Sequence, residues 1–411
     1  MKGKTTKQAL CGIYRVLDLA DETGVYCGKL LADLGADVIK VEPPEGDKTR
    51  SWPPFYGDEV DPEKSLYFLF YNTNKRSITL NLEDDAGREI LKRLISDADV
   101  LIETFPPGYL QGLGLGYDVL SKLNPGLVMT SITPFGQTGP YKDYKSSDLI
   151  QMAISGYCQV SGEPDGVPIR FGYDLSNLAA SQCAAAATTA ALFHRNARSS
   201  KGQHIDISVM EAICSYQQDA AHVPFWRIGQ MNVLRNGVKS RRSIPWGGFE
   251  CKDGWTYIGA VKQTEWDSFS NWAYEVSGEK EIVDPLYSGD GYARLQYIDV
   301  LDMLITKFTK KLTKEELFQE GEKRDIGVFP CYTVAEVANS PQLAARDFFL
   351  EAEHPVVGKM KYPRTPYLIE GAPLPIRQAA PLLGEHNKEV YVGELGFAKE
   401  QLATMRADGI I

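Results

Sequence analysis

Val16-Leu17-Asp18-Leu19, followed by Val25-Tyr26-Cys27-Gly28-Lys29-Leu30-Leu31-Ala32-Asp33-Leu34 and then Val38-Ile39-Lys40-Val41-Glu42, is the stretch that decides the fold. The first and last runs read as strands. Between them Leu30, Leu31 and Leu34 recur at helical spacing, and Gly35-Ala36-Asp37 closes the helix before the second strand. Strand, helix and strand in this order form a βαβ unit, and the crossover helix makes the two strands parallel.

Working outward, the pattern repeats. Ser77 to Leu82 reads as a strand, Asp84 to Ala98 as a helix, Val100 to Glu103 as a strand, the region around Tyr117 to Leu123 as a helix, and Leu127 to Ile132 as a strand. Such alternation predicts an α/β fold with a Rossmann-like, doubly wound parallel sheet. Ligands of such sheets lie at the carboxyl ends of the strands. Gly112-Leu113-Gly114-Leu115-Gly116 has the glycine spacing of a nucleotide fingerprint, but it follows a helix end and not a strand, so it reads as helix capping. No GxxxxGK[ST] run is present.

A long Ala-rich helix is expected from Leu178 to Arg195, then a loop, then the alternating strand His204-Ile205-Asp206-Ile207-Ser208. Past about residue 225 the texture changes. Trp246 to Gly259 reads as a hairpin turning at Asp253-Gly254, and mostly helical sequence follows to about Gly321. These shifts predict a large domain over 1–224, a smaller α+β domain over 225–335, and a tail, 336–411, that returns to the large domain.

At 411 residues and 43% hydrophobic content the chain has the profile of a globular protein. Its net charge of -10 argues against a nucleic-acid surface, so a polyanionic ligand would need local cations and helix ends. The seven cysteines show no CxxC pair or ligand spacing, and none of the five histidines has a metal partner at ligand spacing. No metal site is expected. The basic start, Met1 to Lys7, is followed by no apolar signal core, and the Ala- and Thr-rich run Leu178 to Phe193 is too short to span a bilayer. A cytoplasmic protein without a membrane segment is therefore expected.

One loop-to-helix junction carries the candidate chemistry: Arg170-Phe171-Gly172-Tyr173-Asp174-Leu175-Ser176-Asn177-Leu178-Ala179-Ala180-Ser181. Further marks are Leu30 to Glu42, Asn74-Lys75-Arg76-Ser77, Phe135-Gly136-Gln137-Thr138-Gly139-Pro140, Gly202 to Ser208, Ser340 to Arg346 and Ala380-Pro381-Leu382-Leu383-Gly384-Glu385-His386. Together these resemble the class III CoA-transferases, the formyl-CoA and carnitine-CoA transferase family, across almost the whole chain. The resemblance implies two chains interlocked as a dimer and an acyl-CoA and a carboxylic acid as substrates, with no tightly bound cofactor. It further implies that Asn74, Lys75, Arg76, Phe105 and Lys145 meet coenzyme A, and that Trp246-Gly247-Gly248 is a flexible cover. Read without the resemblance, Asn74-Lys75-Arg76 and the pair Lys142 and Lys145 are also compatible with solvated loops, and Trp246 to Gly248 with a hairpin end. Trp226, Trp246, Trp255 and Trp266 read either as an aromatic-acid pocket or as core.

The departures from the family pattern are informative. Pro43 stands where relatives commonly have an arginine, and Thr104 and Pro106 replace an asparagine and an arginine beside Phe105. Ser147 stands where related racemases place a histidine, which excludes acid/base racemisation by Ser147 and Asn177. Above all, Asn177 occupies the position of the family's nucleophilic aspartate. An amide is too weak a nucleophile to displace CoA from a thioester. Three readings follow: a non-nucleophilic subunit paired with an active homologous chain, as in a two-subunit member of the family; an independent catalyst using Asp174; or a CoA-binding protein without turnover, natural or engineered. Asp174 also reads as a helix cap.

Overall fold

The computed structural model describes residues 11–217, 235–239 and 243–411. Trp226 and His222 lie outside them. The first strands and helices are β1 (Arg15–Asp18), α1 (Val25–Asp33), β2 (Asp37–Glu42), α2 (Leu66–Tyr71), β3 (Lys75–Thr79), α3 (Asp85–Ser96) and β4 (Val100–Glu103). They are followed by α4 (Tyr109–Gly112), α5 (Tyr117–Leu123), β5 (Val128–Thr133), α6 (Asp148–Ile154), α7 (Leu175–His194), β6 (His204–Ser208) and α8 (Val209–Gln217).

The six strands form one sheet in the order β3-β2-β1-β4-β5-β6, and every neighbouring pair is parallel. This is the doubly wound, Rossmann-like order expected from the alternation of elements. Apolar side chains from both faces make the core. Leu17, Ile39, Ile78 and Leu101 pack with α3 residues Leu91, Leu94 and Ile95, and Val16, Val38, Val100 and Val128 pack with α1 and α7 residues Leu31, Ala180 and Ala184. Small side chains on α7 let that long helix lie close to the sheet. The glycine run after α4 caps that helix: Gly114 has φ +70 and its N–H bonds back to Gln111 O at 3.1 Å.

Edge strand β3 is covered by the C-terminal segment. His386 N donates to Ser77 O at 2.9 Å, the Asn387 side chain accepts from Thr79 N at 2.9 Å, and Tyr391 Oη donates to Thr79 O at 2.6 Å. Such cover protects an otherwise open edge.

The chain divides into two compact units, one within 1–157, 171–223 and 344–411, the other within 158–170 and 224–343. The second unit therefore takes in a short excursion at 158–170 in addition to the region after residue 224. It holds an antiparallel sheet, Trp246–Cys251, Gly254–Gly259 and Gly327–Pro330, packed with helices Gln263–Ser277, Ile298–Thr309 and Lys314–Lys323. Its core includes Trp266, Phe269, Trp272 and Phe308.

One local difference from the sequence reading has large consequences. The strand expected from Ser77 starts at Lys75, so Lys75 lies inside the sheet and not in the preceding loop. Its side chain is fully buried, and Nζ donates to Asp18 Oδ2 at 2.8 Å, to Val25 O at 3.0 Å and to Asn72 Oδ1 at 3.1 Å. Gly28 makes room for this pair, since a Cβ there would meet Asp18 Oδ2 at 2.2 Å. Removing one member would leave a buried charge uncompensated. Lys75→Met is expected to lower unfolding stability by about 3–5 kcal/mol in urea titrations, and adding Asp18→Leu to recover most of that loss. Equal stability of Lys75→Met and the native chain would show that the pair contributes nothing.

Candidate active site

The strand order reverses direction between β1 and β4, which opens a crevice at their carboxyl ends. The loops leaving these strands are tied together there: Thr104 Oγ1 accepts the Asp21 N–H at 2.9 Å. Asp21 also folds its own loop, its Oδ1 accepting the Thr23 N–H at 2.9 Å. Lys48 Nζ then bridges Asp21 Oδ2 at 3.0 Å and Glu22 Oε2 at 2.7 Å. Burial opposes the charge on Asp21, but Lys48 and the Thr23 N–H outweigh it and hold this carboxyl below the usual range. Burial, reinforced by Asp21, instead pushes Glu22 up.

The β1–α1 loop lies against the start of α7, where Ser181 Oγ donates to Thr23 O at 3.3 Å. Asn177 is half-buried in the first turn of that helix, one turn before Ser181. Asp174 occupies the N-cap position, but its side chain makes no capping hydrogen bond. The cap comes from α6: Asp148 Oδ1 accepts from Ser176 N at 3.0 Å and from Ser176 Oγ at 2.7 Å. The expected capping role of Asp174 is thus filled by Asp148.

Aromatic side chains of α2 stand near Asp174. Tyr67 and Tyr71 are 4.6 Å apart between ring centroids, Trp52 lies 5.1 Å from Tyr67, and Tyr26 lies 5.8 Å from Tyr71. Burial and then the charge of Asp174 raise the Tyr71 phenol to about 12. Tyr67 is raised as well, by burial first, with Tyr71, Asp174 and Glu22 adding to it. Both phenols therefore stay protonated as donors in this carboxylate-rich corner. The sequence signal was available in Ser65 followed by Leu66-Tyr67-Phe68-Leu69-Phe70-Tyr71, a capped apolar run whose Ser65 Oγ accepts from Phe68 N at 3.3 Å.

The expected CoA contacts are distributed unevenly. Lys75 is enclosed in its ion pair, and a partner chain could only bury it further. Asn74, with φ +64, donates to Asp33 Oδ1 at 2.7 Å and accepts from Arg377 N at 2.6 Å. Arg76 pairs with Asp37, Glu389 and Glu394. Within this chain neither of the two cations is open to a phosphate: Lys75 is buried against Asp18 and Arg76 is paired with three carboxylates. Lys145 is exposed, and Lys142 pairs with Asp143 at 3.2 Å. Phe105 is half-buried and stacks on Tyr109 with centroids 4.8 Å apart and planes at 25°.

In the second unit, Trp246, Gly247 and Gly248 lie in a strand paired with Gly254–Gly259. A Cβ on Gly247 would meet Val238 O at 2.7 Å, so close backbone approach accounts for that glycine. Trp266 is core, whereas Trp246 and Trp255 are exposed. Ser147 is the N-cap residue of α6. Among the described residues no cluster of metal-ligating side chains occurs, and no helix is long and apolar enough to cross a membrane. A cavity of about 590 Å³ near Cys11, Tyr14 and Phe193 lies at the opposite end of α7 from Asn177 and is lined by no charged group.

Sequence reasoning also missed Glu103, the last residue of β4. It is almost fully buried, and Oε2 accepts the Phe105 N–H at 2.7 Å. Burial pushes its carboxyl up to about 7, partly offset by Ser131 and the Phe105 N–H and reinforced by Asp206 and Asp21.

Comparison with known proteins places these features in context. Residues 12–387 match the model of CoA-transferase family III. The chain is 33% identical over 409 residues to the succinyl-CoA:(R)-benzylsuccinate CoA-transferase subunit BbsE of Thauera aromatica, covering 97% of each chain. It is 33% identical over 420 residues to the formyl-CoA:oxalate CoA-transferase of Streptomyces avermitilis, covering 98% of this chain and 100% of that one. Among solved structures, a CAIB/BAIF family protein from Brucella suis superposes with a TM-score of 0.84 at 32% identity, over 92% of this chain and 98% of that chain.

The Glu103 shift has a definite sign. Its folded value lies near 7 against an ordinary 4.5, so folding takes up a proton between these limits and stability falls as pH rises through them. The cost is absent at low pH and of the order of 3 kcal/mol once the carboxyl is ionised. Glu103→Gln removes it. The melting temperature of this variant relative to the native chain is therefore expected to rise from about pH 5 to about pH 8, and a difference independent of pH would contradict the assignment.

Proposed function

The chain belongs to CoA-transferase family III, and we propose that it serves as the non-nucleophilic subunit of a heteromeric enzyme that moves CoA from succinyl-CoA to an aromatic carboxylic acid. At the family level the reaction is CoA transfer between an acyl-CoA and a carboxylate, with the CoA thioester as substrate. The observation that carries the finer reading is Asn177, an amide in the first turn of α7, the helix whose Ser181 meets the β1–α1 loop at the crevice.

The reaction needs a carboxylate that attacks the thioester carbonyl, releases the CoA thiolate and carries the acyl group as a mixed anhydride. The thiolate next attacks the enzyme's carbonyl in that anhydride, releasing the first acid and leaving an enzyme–CoA thioester. The second acid's carboxylate attacks this thioester, expelling the thiolate and forming a second mixed anhydride, whose new acyl carbonyl the thiolate attacks to give the new acyl-CoA and the free enzyme carboxylate. Asn177 can perform none of these bond changes, but its amide can donate a hydrogen bond to a carboxylate held in the crevice. Tyr67 and Tyr71 add phenol donors and aromatic surface, which suits an acid bearing a ring. Phe105 offers a planar face to the nucleotide of CoA, and Lys145 is the exposed cation among the expected contacts.

A homologous chain would supply the missing carboxylate. The relative from Thauera aromatica is itself named as a subunit, and it matches this chain from end to end. Exposed aromatic residues Tyr144, Tyr173 and Phe193, at 60%, 77% and 74%, are the kind of surface that an interlocked homologous partner would cover. One observation supports a second reading, an independent enzyme: Asp174 is a carboxyl at the N-cap position of α7, three residues before Asn177, and its charge reaches Tyr67 and Tyr71.

The test is CoA transfer from succinyl-CoA to a panel of aromatic and aliphatic acids, with and without a homologous partner chain. The isolated chain is expected to be inactive, the mixture active, and Asn177→Asp to give the isolated chain a hydroxylamine-sensitive acyl adduct that the native chain lacks. Turnover by the native chain alone, abolished by Asp174→Asn, would establish the second reading instead.

A further inference from the structure

Glu103 is a buried carboxylate at the end of β4 that the transfer chemistry does not use. Its neighbours give it a specific task. The segment it anchors, Thr104-Phe105-Pro106-Pro107-Gly108, leads from the sheet into α4, which begins at Tyr109. Pro106 and Pro107 have fixed φ, and Thr104 is held by its bond to Asp21 N at 2.9 Å. Phe105, which precedes a proline, is confined to extended backbone, and its N–H is the group that Glu103 Oε2 binds at 2.7 Å, so the hydrogen bond and the proline hold it from both sides. At the far end Tyr109, stacked on Phe105, is held through its hydroxyl by Glu83.

Glu103 is itself supported from the neighbouring strands. Ser131 is its register partner on β5, and Ser131 Oγ lies 2.9 Å from His204 Nε2 on β6. With Glu103 ionised, the Ser131 hydroxyl donates to the carboxylate and accepts from His204 Nε2–H. Burial lowers the His204 pKa, which agrees with a neutral ring. The row is fully satisfied, so the carboxylate has one preferred position.

We propose that Glu103 is a positioning residue for the CoA thioester, holding the Phe105 backbone so that the Phe105–Tyr109 pair meets the nucleotide as a preformed platform. This rests on the reading that Phe105 contacts CoA. A platform ordered before binding avoids the entropy of ordering it during binding. The pair of prolines after Phe105, where the family pattern has an arginine in the place of Pro106, makes the loop stiff on one side and leaves Glu103 to fix the other.

CoA titration calorimetry on the full chain, alone and with its homologous partner, tests this. Phe105→Ala is expected to weaken binding about tenfold. Glu103→Ala and Glu103→Asp, the latter keeping the charge but shortening the reach, are expected to weaken it to a similar extent, while Glu103→Gln, which can still accept the Phe105 N–H, stays within about twofold. The Glu103→Ala/Phe105→Ala double variant is expected to bind no worse than Phe105→Ala, because the two residues act as one unit.

If Phe105→Ala weakens binding while a folded Glu103→Asp binds like the native chain, the positioning role is wrong and the Phe105 reading stands. Losses that add in the double variant overturn it equally. If Phe105→Ala binds CoA like the native chain, or the native chain binds none, the underlying reading fails and the inference with it.

Discussion

The Lys75–Asp18 ion pair is the constraint around which the first half of the structure is arranged. Its ammonium meets β1 through Asp18, α1 through Val25 O and the end of α2 through Asn72, while its own backbone opens β3. A lysine at this depth is tolerated because every proton has an acceptor. Its presence fixes where α1 can begin and how close α2 approaches the sheet. Those two elements in turn carry Tyr26, Tyr67 and Tyr71 into the crevice. The local charge is therefore structural first, and the cations available to a polyanionic ligand must come from elsewhere on the surface.

The sheet was legible because its signal is local. Each βαβ unit repeats the same alternation of period, and the parallel order follows from the crossovers. Boundaries shifted where a polar residue was placed by packing: Lys75 and Arg76 look like a basic loop, yet the strand begins with them. The buried face of β3 accepts Lys75 because Asp18, distant in sequence, waits there. No window of sequence shows that pairing. The same reason hides Asp148 as the cap of α7 and Glu103 as the anchor of Phe105, since both act on backbone N–H groups whose partners depend on topology. By contrast, the position of Asn177 at a helix start was readable from the loop residues before it and the alanines after it. The excursion at 158–170 into the second unit reads in sequence as a turn-rich stretch, Ser161 to Pro168, and turn chemistry does not say which unit a loop joins.

An amide at residue 177 differs from a carboxylate in more than nucleophilicity. Asp174, Glu22 and Asp21 already bring carboxyl groups to this corner, and Lys48 bridges Asp21 and Glu22 on the β1–α1 side. A further carboxylate there would repel an incoming acid and would need the positive end of α7 to stay ionised. An amide carries no such charge, and the Tyr67 and Tyr71 phenols keep their protons as donors in the same corner. Attack on a thioester becomes impossible, while binding of an anionic acid becomes easier. Both consequences suit the proposed arrangement, in which this chain holds substrate while a homologous chain performs the covalent step.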